Sequence, residues 1–305
     1  MKRALVTLGH PDHAGMLRAL RILDDAAPRH GWELRFVLAG PHAQVAKEGL
    51  AAERVTYLPA LRRWRAWPAR LALPAAVLRL ARLARGADVL YACTLSSFPY
   101  CLLAGWLARV PRVVHVYSSY GDGAAYRKHL LGRARHVIAP SADSLALARR
   151  ALGEFAPGTQ ARVVYNGMDV ERIVRAAAAP LPAGMAPGGG PTVGMVGHLD
   201  ARKNPALLID AMAEVRAAVP GARALLVGAF RDPAYERSVR ERARTLGLAD
   251  AVAVTGFLPN PFPIVERLDV LAHPALRDPF PLALLDRKST RRTPVTVKSR
   301  MPSSA

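Results

Sequence analysis

The amino-acid sequence predicts an α/β fold of two Rossmann-like domains in tandem, the second incomplete, and three observations carry that prediction. Short β-branched runs alternate with Ala/Leu/Arg-rich stretches at helical spacing, the rhythm of a parallel sheet covered on both faces. A Pro/Gly/Ala break, "AAAAPLPAGMAPGGGP" at 176–191, interrupts it as a linker does. The rhythm then restarts and stops after about four strands, fewer than such a domain usually has.

Each element follows from its own residues. "RALVTLG", "WELRFVLAG", "RVTYLP", "ADVLYACT", "RVVHVYS", "RHVIAPS" and "ARVVYNG" read as strands of a first domain over 1–175. Helical spacing over 13–27, 72–85 and 142–152 supplies crossovers between them. After the linker, "PTVGMVG", "ARALLVG", "AVAVTGF" and "DVLAHPA" are strands, with helices at 204–218 and 233–246, in a partial second domain over 192–285. From Asp286 the string "DRKSTRRTPVTVKSRMPSSA" has no helix or strand period, so the apolar helix begun before it is expected to stop at Leu285.

Composition bounds the function. Hydrophobic residues make up 51% of the 305 and charged residues 22%, a globular balance. No run reaches the roughly 18 apolar residues of a membrane span, and "MKRALVTLGH" is too short an apolar start for a secretion signal. Two cysteines, Cys93 and Cys101, suit a reducing compartment, so a cytoplasmic location is expected. The net charge of +20 stays strongly positive without residues 286–305, which hold six basic residues and one acid. Such a charge suits nucleic acid, anionic membrane and phosphorylated small molecules alike. With no G-x-G-x-x-G turn in either domain, a dehydrogenase is disfavoured.

Three turns at strand ends are where ligands of open parallel sheets bind. "GHPDHAG" (9–15) offers Gly9 and Gly15 for close approach, and His10, Asp12 and His13 as polar groups in a spacing that matches no zinc pattern. "VGHLDARKNP" ends a strand at Gly197, carries His198, Arg202 and Lys203, and opens a helix with Asn204 as N-cap and Pro205 at the first position. Lys203 beside a helix N-terminus favours an anion such as a diphosphate. "HPALRDPFPLALLD" places Asp278 in a Pro-rich turn, where a carboxylate accepts hydrogen bonds from sugar hydroxyls.

Together "VVYNGMD" (164–169), "VGHLDARKN" (196–204), "LLVG" (225–228), "LGLADAVAVTGF" (246–257) and "DVLAHPALRDPFPLALL" (269–285) resemble the retaining, metal-independent glycosyltransferases of the GT-B fold, family 4. "HVIAPSADSLALARRALG" (136–153) is similar to that family's last N-domain strand and helix. The resemblance implies transfer of a sugar from a nucleotide-diphosphate donor, bound between the domains, to an acceptor hydroxyl with retention, in cell-envelope glycan or glycolipid synthesis, with no cofactor and no metal. It implies that His198, standing where the family usually has Arg, and Lys203, with Arg202 beside it, grip the diphosphate. Asp278 falls on the first of two acidic positions separated by seven others, the one that contacts the donor sugar, and residue 286 on the second, which holds the ribose. Gly15 matches the Gly-rich loop near donor and acceptor, and His115 an N-domain His near the reacting sugar. A nucleotide-sugar epimerase or phosphorylase of the same fold, or a non-catalytic basic membrane-binding module, is the alternative.

The tail from 286 is similar to the translation of a stock sequencing-library adapter. Residues 286–305 are therefore expected to be a non-native tail, with a frameshift or a natural basic tail as the alternatives. The chain as written is then expected to be poorly soluble or inactive.

Residues 61–85, "LRRWRAWPARLALPAAVLRLARLAR", interleave Arg with Trp (Arg62, Arg63, Trp64, Arg65, Trp67) ahead of a helical apolar pattern. That composition suits docking on an anionic membrane at its inner face and access to a lipid-linked acceptor. No nucleic-acid motif accompanies it, so nucleic acid is not expected as a partner.

Overall fold

The computed structural model describes residues 1–9, 14–40, 49–62, 69–117, 123–182 and 190–290, with the side chains of Ala14, Arg62, Ala69 and Arg70 left out. The chain forms two compact units, Met1–Met168 and Asp169–Ala305.

In the first unit β1 (Lys2–Leu8), β2 (Trp32–Leu38), β3 (Val55–Tyr57), β4 (Val89–Ala92), β5 (Arg112–His115), β6 (His136–Ala139) and β7 (Gln160–Val163) form a parallel sheet. Its order is β3-β2-β1-β4-β5-β6-β7, with Val6 registered against Phe36 on one side and Tyr91 on the other. Alternation along β1 explains the two cores. Ala4, Val6 and Leu8 pack with Leu17 and Leu20 of α1 (Ala14–Ala26) on one face. Leu5 on the other packs with Leu80 of α2 (Ala69–Ala84) and Phe98 of α3 (Phe98–Ala108). Leu8, Leu17 and Leu20 are fully buried, each contributing about 2 kcal/mol. The short α4 (Gly123–Lys128) follows β5, and α5 (Ala142–Leu152) follows β6. α5 starts at Ser141, whose side chain accepts from the Ser144 N–H, and ends at Gly153 in the left-handed region. One buried carboxylate, Asp24 on α1, is matched by a two-pronged contact from Arg54 at 2.7 and 2.8 Å.

The second unit opens earlier than the residue pattern indicates. α6 (Val170–Ala177) is capped by Asp169 and packs on α9 (Phe262–Arg267) and α10 (Leu282–Thr290), so residues up to 175 assigned to the first domain belong with the second unit. Here β8 (Thr192–Val196), β9 (Arg223–Val227), β10 (Val252–Gly256) and β11 (Val270–Leu271) form a parallel sheet in the order β10-β9-β8-β11. Its helices include α7 (Pro205–Ala218) and α8 (Pro233–Thr245). Met195, Leu208, Ile209, Met212, Leu226 and Val239 form the core between β8, β9, α7 and α8.

The expected stop at Leu285 is not observed: α10 runs on to Thr290, and Asp286 and Arg287 are buried. Arg287 reaches the carbonyls at the end of α9, donating to Val265 at 2.7 Å, Glu266 at 2.8 Å and also Leu268. A cation at a helix C-terminus satisfies acceptors that otherwise lack partners, and Arg and Lys are good helix formers. That tertiary contact carries the helix past the point where its apolar period ends. Residues 291–305 lie outside the described residues. No helix among the described residues is long and apolar enough to cross a membrane.

Candidate functional site

The carboxyl ends of β8, β9 and β10 each meet a glycine in the positive-φ region, Gly197 (φ 140°), Gly228 (φ 145°) and Gly256 (φ 71°). At Gly228 a side chain is impossible, since a Cβ would lie 1.8 Å from the Gly197 carbonyl oxygen. The chain after Gly197 stays against β9 through Leu199 N–H to Ala229 O at 3.0 Å, then turns at Asp200. Asp200 Oδ1 accepts from the Lys203 N–H at 2.9 Å, and its carbonyl accepts from the Asn204 N–H at 3.0 Å. α7 begins with Pro205 at its first position, as expected, but Asn204 makes no side-chain cap. Its φ of 56° is left-handed, whereas an N-cap side chain reaches the following N–H groups from the extended region.

This turn delivers Lys203 to Asp278, 75 residues on, in a salt bridge whose side chains are 14% and 12% exposed. His273 Nε2 lies 3.1 Å from the same Asp278 oxygen, Oδ2. The other oxygen, Oδ1, accepts from the Phe280 N–H at 3.3 Å. The segment after β11 is stitched to the turn twice more, by Leu276 N–H to Arg202 O at 2.9 Å and Arg202 Nη1 to Arg277 O at 3.2 Å. Burial by itself would raise the Asp278 pKa. The His273 imidazole beside it and the Lys203 charge overcome it and hold the carboxyl well below the usual carboxylate range. Asp278 is therefore an ionised acceptor at neutral pH and has no proton to give.

His198, half-buried on the same turn, has its pKa lowered, first by burial and then by the Arg231, Arg202 and Lys203 charges. It is a neutral imidazole at pH 7, a hydrogen-bonding group among cations. Thus Gly197, His198, Arg202, Lys203 and Asp278, predicted from separate strings, come together at one end of one sheet. His273 and Arg231 were missed. His273 sits two residues after β11 and five residues before Asp278, a strand-end position that could have drawn attention.

The remaining candidates lie in the first unit or outside the described residues. His115 ends β5, 4% exposed, with Nδ1 sharing a short hydrogen bond with the Tyr91 hydroxyl and its ring stacked on Tyr117 at 3.9 Å. Burial pushes its pKa down to about 3, and its Nε2 has no hydrogen-bond partner among the described residues. A buried, unpaired imidazole nitrogen costs stability unless something pairs with it. Gly9 itself is packed tightly against the chain. A Cβ there would meet Ser96 Oγ at 2.1 Å and Leu61 O at 2.8 Å, and the Gly9 N–H donates to Thr94 at 2.8 Å. Gly15 is exposed in the first turn of α1. His10, Asp12, His13, Arg63, Trp64, Arg65 and Trp67 fall outside the described residues, and Arg62 ends a 3₁₀ turn, Pro59–Arg62. Among the described residues no group of three or more His, Cys, Asp or Glu could hold a metal ion.

Comparisons with known proteins bear on the family and the fold. A family profile described as Glycosyltransferase Family 4 matches residues 14–172, just over half of the chain. A second, described as Glycosyl transferases group 1, matches residues 183–304. No curated protein matches by sequence. Among solved structures, HepE of Anabaena in complex with UDP and glucose superposes with a TM-score of 0.72 at 22% identity, covering 95% of this chain and 79% of that one. Sucrose-phosphate synthase of Thermosynechococcus elongatus gives 0.67 at 19% identity, with 95% and 79% covered. The lipopolysaccharide outer core galactosyltransferase WaaB in its apo form gives 0.67 at 15%, with 95% and 78% covered. At these identities the likeness is one of fold.

Proposed function

The chain belongs to glycosyltransferase family 4, and from that premise we propose that it transfers a sugar from a nucleotide-diphosphate donor to a hydroxyl of a glycan or lipid-linked acceptor. In this reading the anomeric configuration is retained, and the product serves cell-envelope glycan or glycolipid synthesis. One observation carries the reading: Lys203, Asp278 and His273 meet at the glycine-rich ends of the second sheet. HepE, similar in fold, is crystallised with UDP and glucose, and UDP-glucose is the donor class to try first.

The chemistry follows from the charges. Breaking the bond between sugar and diphosphate builds negative charge on the departing phosphate. Lys203, Arg202 and Arg231 converge on one turn and would stabilise that charge where it develops, without a metal ion. Asp278, held ionised, would accept hydrogen bonds from the donor-sugar hydroxyls and orient the ring. His198 would donate one neutral hydrogen bond where a fixed cation would otherwise stand. In the first unit, His115 Nε2 is the unpaired group a sugar hydroxyl would satisfy.

The test is a UDP titration by calorimetry with a parallel transfer assay. Lys203→Gln should weaken UDP roughly tenfold or more, the size of a lost charge-assisted hydrogen bond. Asp278→Asn should keep UDP affinity and lose transfer by on the order of a hundredfold. NMR of the product anomer decides retention. Absence of binding by any nucleoside diphosphate would end the reading.

A further inference from the structure

α3, "FPYCLLAGWLA", carries no charged residue, and a helix apolar on every side is normally buried on every side. Here it is not. Leu103 is 43% exposed, Leu107 47% and Trp106 72%, all on one face. Packed beside them, α2 turns out Leu71 at 70% and Leu78 at 49%. Between the two helices runs an apolar groove lined by Leu73, Pro74, Val77, Leu103, Trp106 and Leu107. Exposing large apolar side chains to water is unfavourable and covering them is favourable, so a contiguous patch of this kind marks a surface that something covers.

The charges at its border name the occupant. Arg82 continues the Leu71–Leu78 stripe along α2 at i+4 from Leu78, and Arg85 lies just past the end of the helix. Arg79 flanks the stripe, and Arg109 follows the end of α3 beside Trp106. All four are exposed, and none is paired with a carboxylate among the described residues. From Leu61 to Tyr120 the sequence holds one acid, Asp88, and that carboxylate already accepts from the Arg3 N–H at 2.7 Å. We infer that the α2–α3 face docks on an anionic lipid bilayer, Trp106 and the leucines entering the interfacial layer and the arginines meeting lipid phosphates. A second copy of the chain is the weaker occupant, because a two-fold interface would set the arginine border of one copy against that of the other. The inference does not rest on the donor chemistry, which lies in the other unit.

The experiment is cosedimentation with phosphatidylcholine vesicles, with and without about 30 mol% phosphatidylglycerol. The chain should bind the anionic vesicles, ignore the neutral ones, and be released at about 0.5 M salt, where screening shortens to a few ångströms. Trp106 fluorescence should shift to the blue on binding. Arg79→Gln/Arg82→Gln should weaken binding roughly thirtyfold, from about 1 kcal/mol for each cation near the surface. Leu103→Ser/Trp106→Ser should weaken it at least tenfold while leaving UDP affinity unchanged, and both side chains are exposed enough for the variant to fold. Equal binding by the variants and the parent would overturn the inference, as would no binding to either vesicle. A dimer that Trp106→Ser dissolves, with no vesicle binding, would assign the face to a second copy instead.

Discussion

His115 in the first unit and Asp278 in the second both sit at the carboxyl end of a parallel sheet, both largely withdrawn from water, yet one ends neutral and the other charged. Burial strips His115 of its proton, since its neighbours are the phenols Tyr91 and Tyr117 and none supplies a counter-charge. Burial also acts against the Asp278 carboxylate, but there Lys203 and His273 outweigh it and the charge survives. Desolvation thus selects the neutral form only where the fold provides no opposite charge. One site is built to hydrogen-bond, the other to hold and oppose charge.

The sharpest way to break that contrast is to remove the counter-charge. Lys203→Met leaves Asp278 partly buried with His273 alone and should cost the second unit about 2–3 kcal/mol in urea unfolding. Adding Asp278→Asn should recover part of it. Because the folded carboxyl titrates below its unfolded value of 3.8, the pair's contribution is complete above that value. It is lost progressively as pH falls below that value towards the much lower folded one, so the parent and Lys203→Met should converge only in strong acid.

The His115 site also loses stability in acid, but in a higher pH window. Its imidazole titrates near 6.5 unfolded and near 3 folded. Below 6.5 the unfolded chain therefore binds a proton the folded chain does not, and stability falls. The loss attributable to this group should be about 2 kcal/mol on going from pH 7 to about pH 5. His115→Gln should lack that increment, whatever its own stability at pH 7. An identical pH dependence in the two proteins would mean the ring is not held neutral.

A smaller effect is expected where the two kinds of site meet. His198 is a neutral group in the charged turn, and His198→Arg should tighten UDP by up to about tenfold, about 1.4 kcal/mol. The smallest concerns backbone alone. Asn204 adopts φ 56° with no cap bond in return, so Asn204→Gly should be neutral or stabilise by up to about 1 kcal/mol in thermal unfolding.

Much of this was legible in the residues. Every strand of both sheets overlaps one of the short apolar runs, because strand propensity and apolar clustering are local patterns. The turn carrying Gly197, His198, Arg202 and Lys203 was visible because glycine after a strand and proline opening a helix are local signals too. A resemblance in motifs, rather than any local rule, singled out Asp278 among the acidic residues.

What the sequence by itself determined, then, is the alternation of elements, the two-sheet division and the turn that bears the cations. Each depends on neighbours within a few residues. Only tertiary structure decided which groups meet. Lys203 finds Asp278 because β11 lies beside β8 in the sheet, and His273 arrives with it. The charge-free α3 looks like core, and only its place on the surface turns Trp106 outward. The basic run after Leu285 has no apolar period, and it is helical because the end of α9 offers Arg287 three carbonyls. Partners distant in the chain are set by packing, and packing is a sum over contacts that no short window contains.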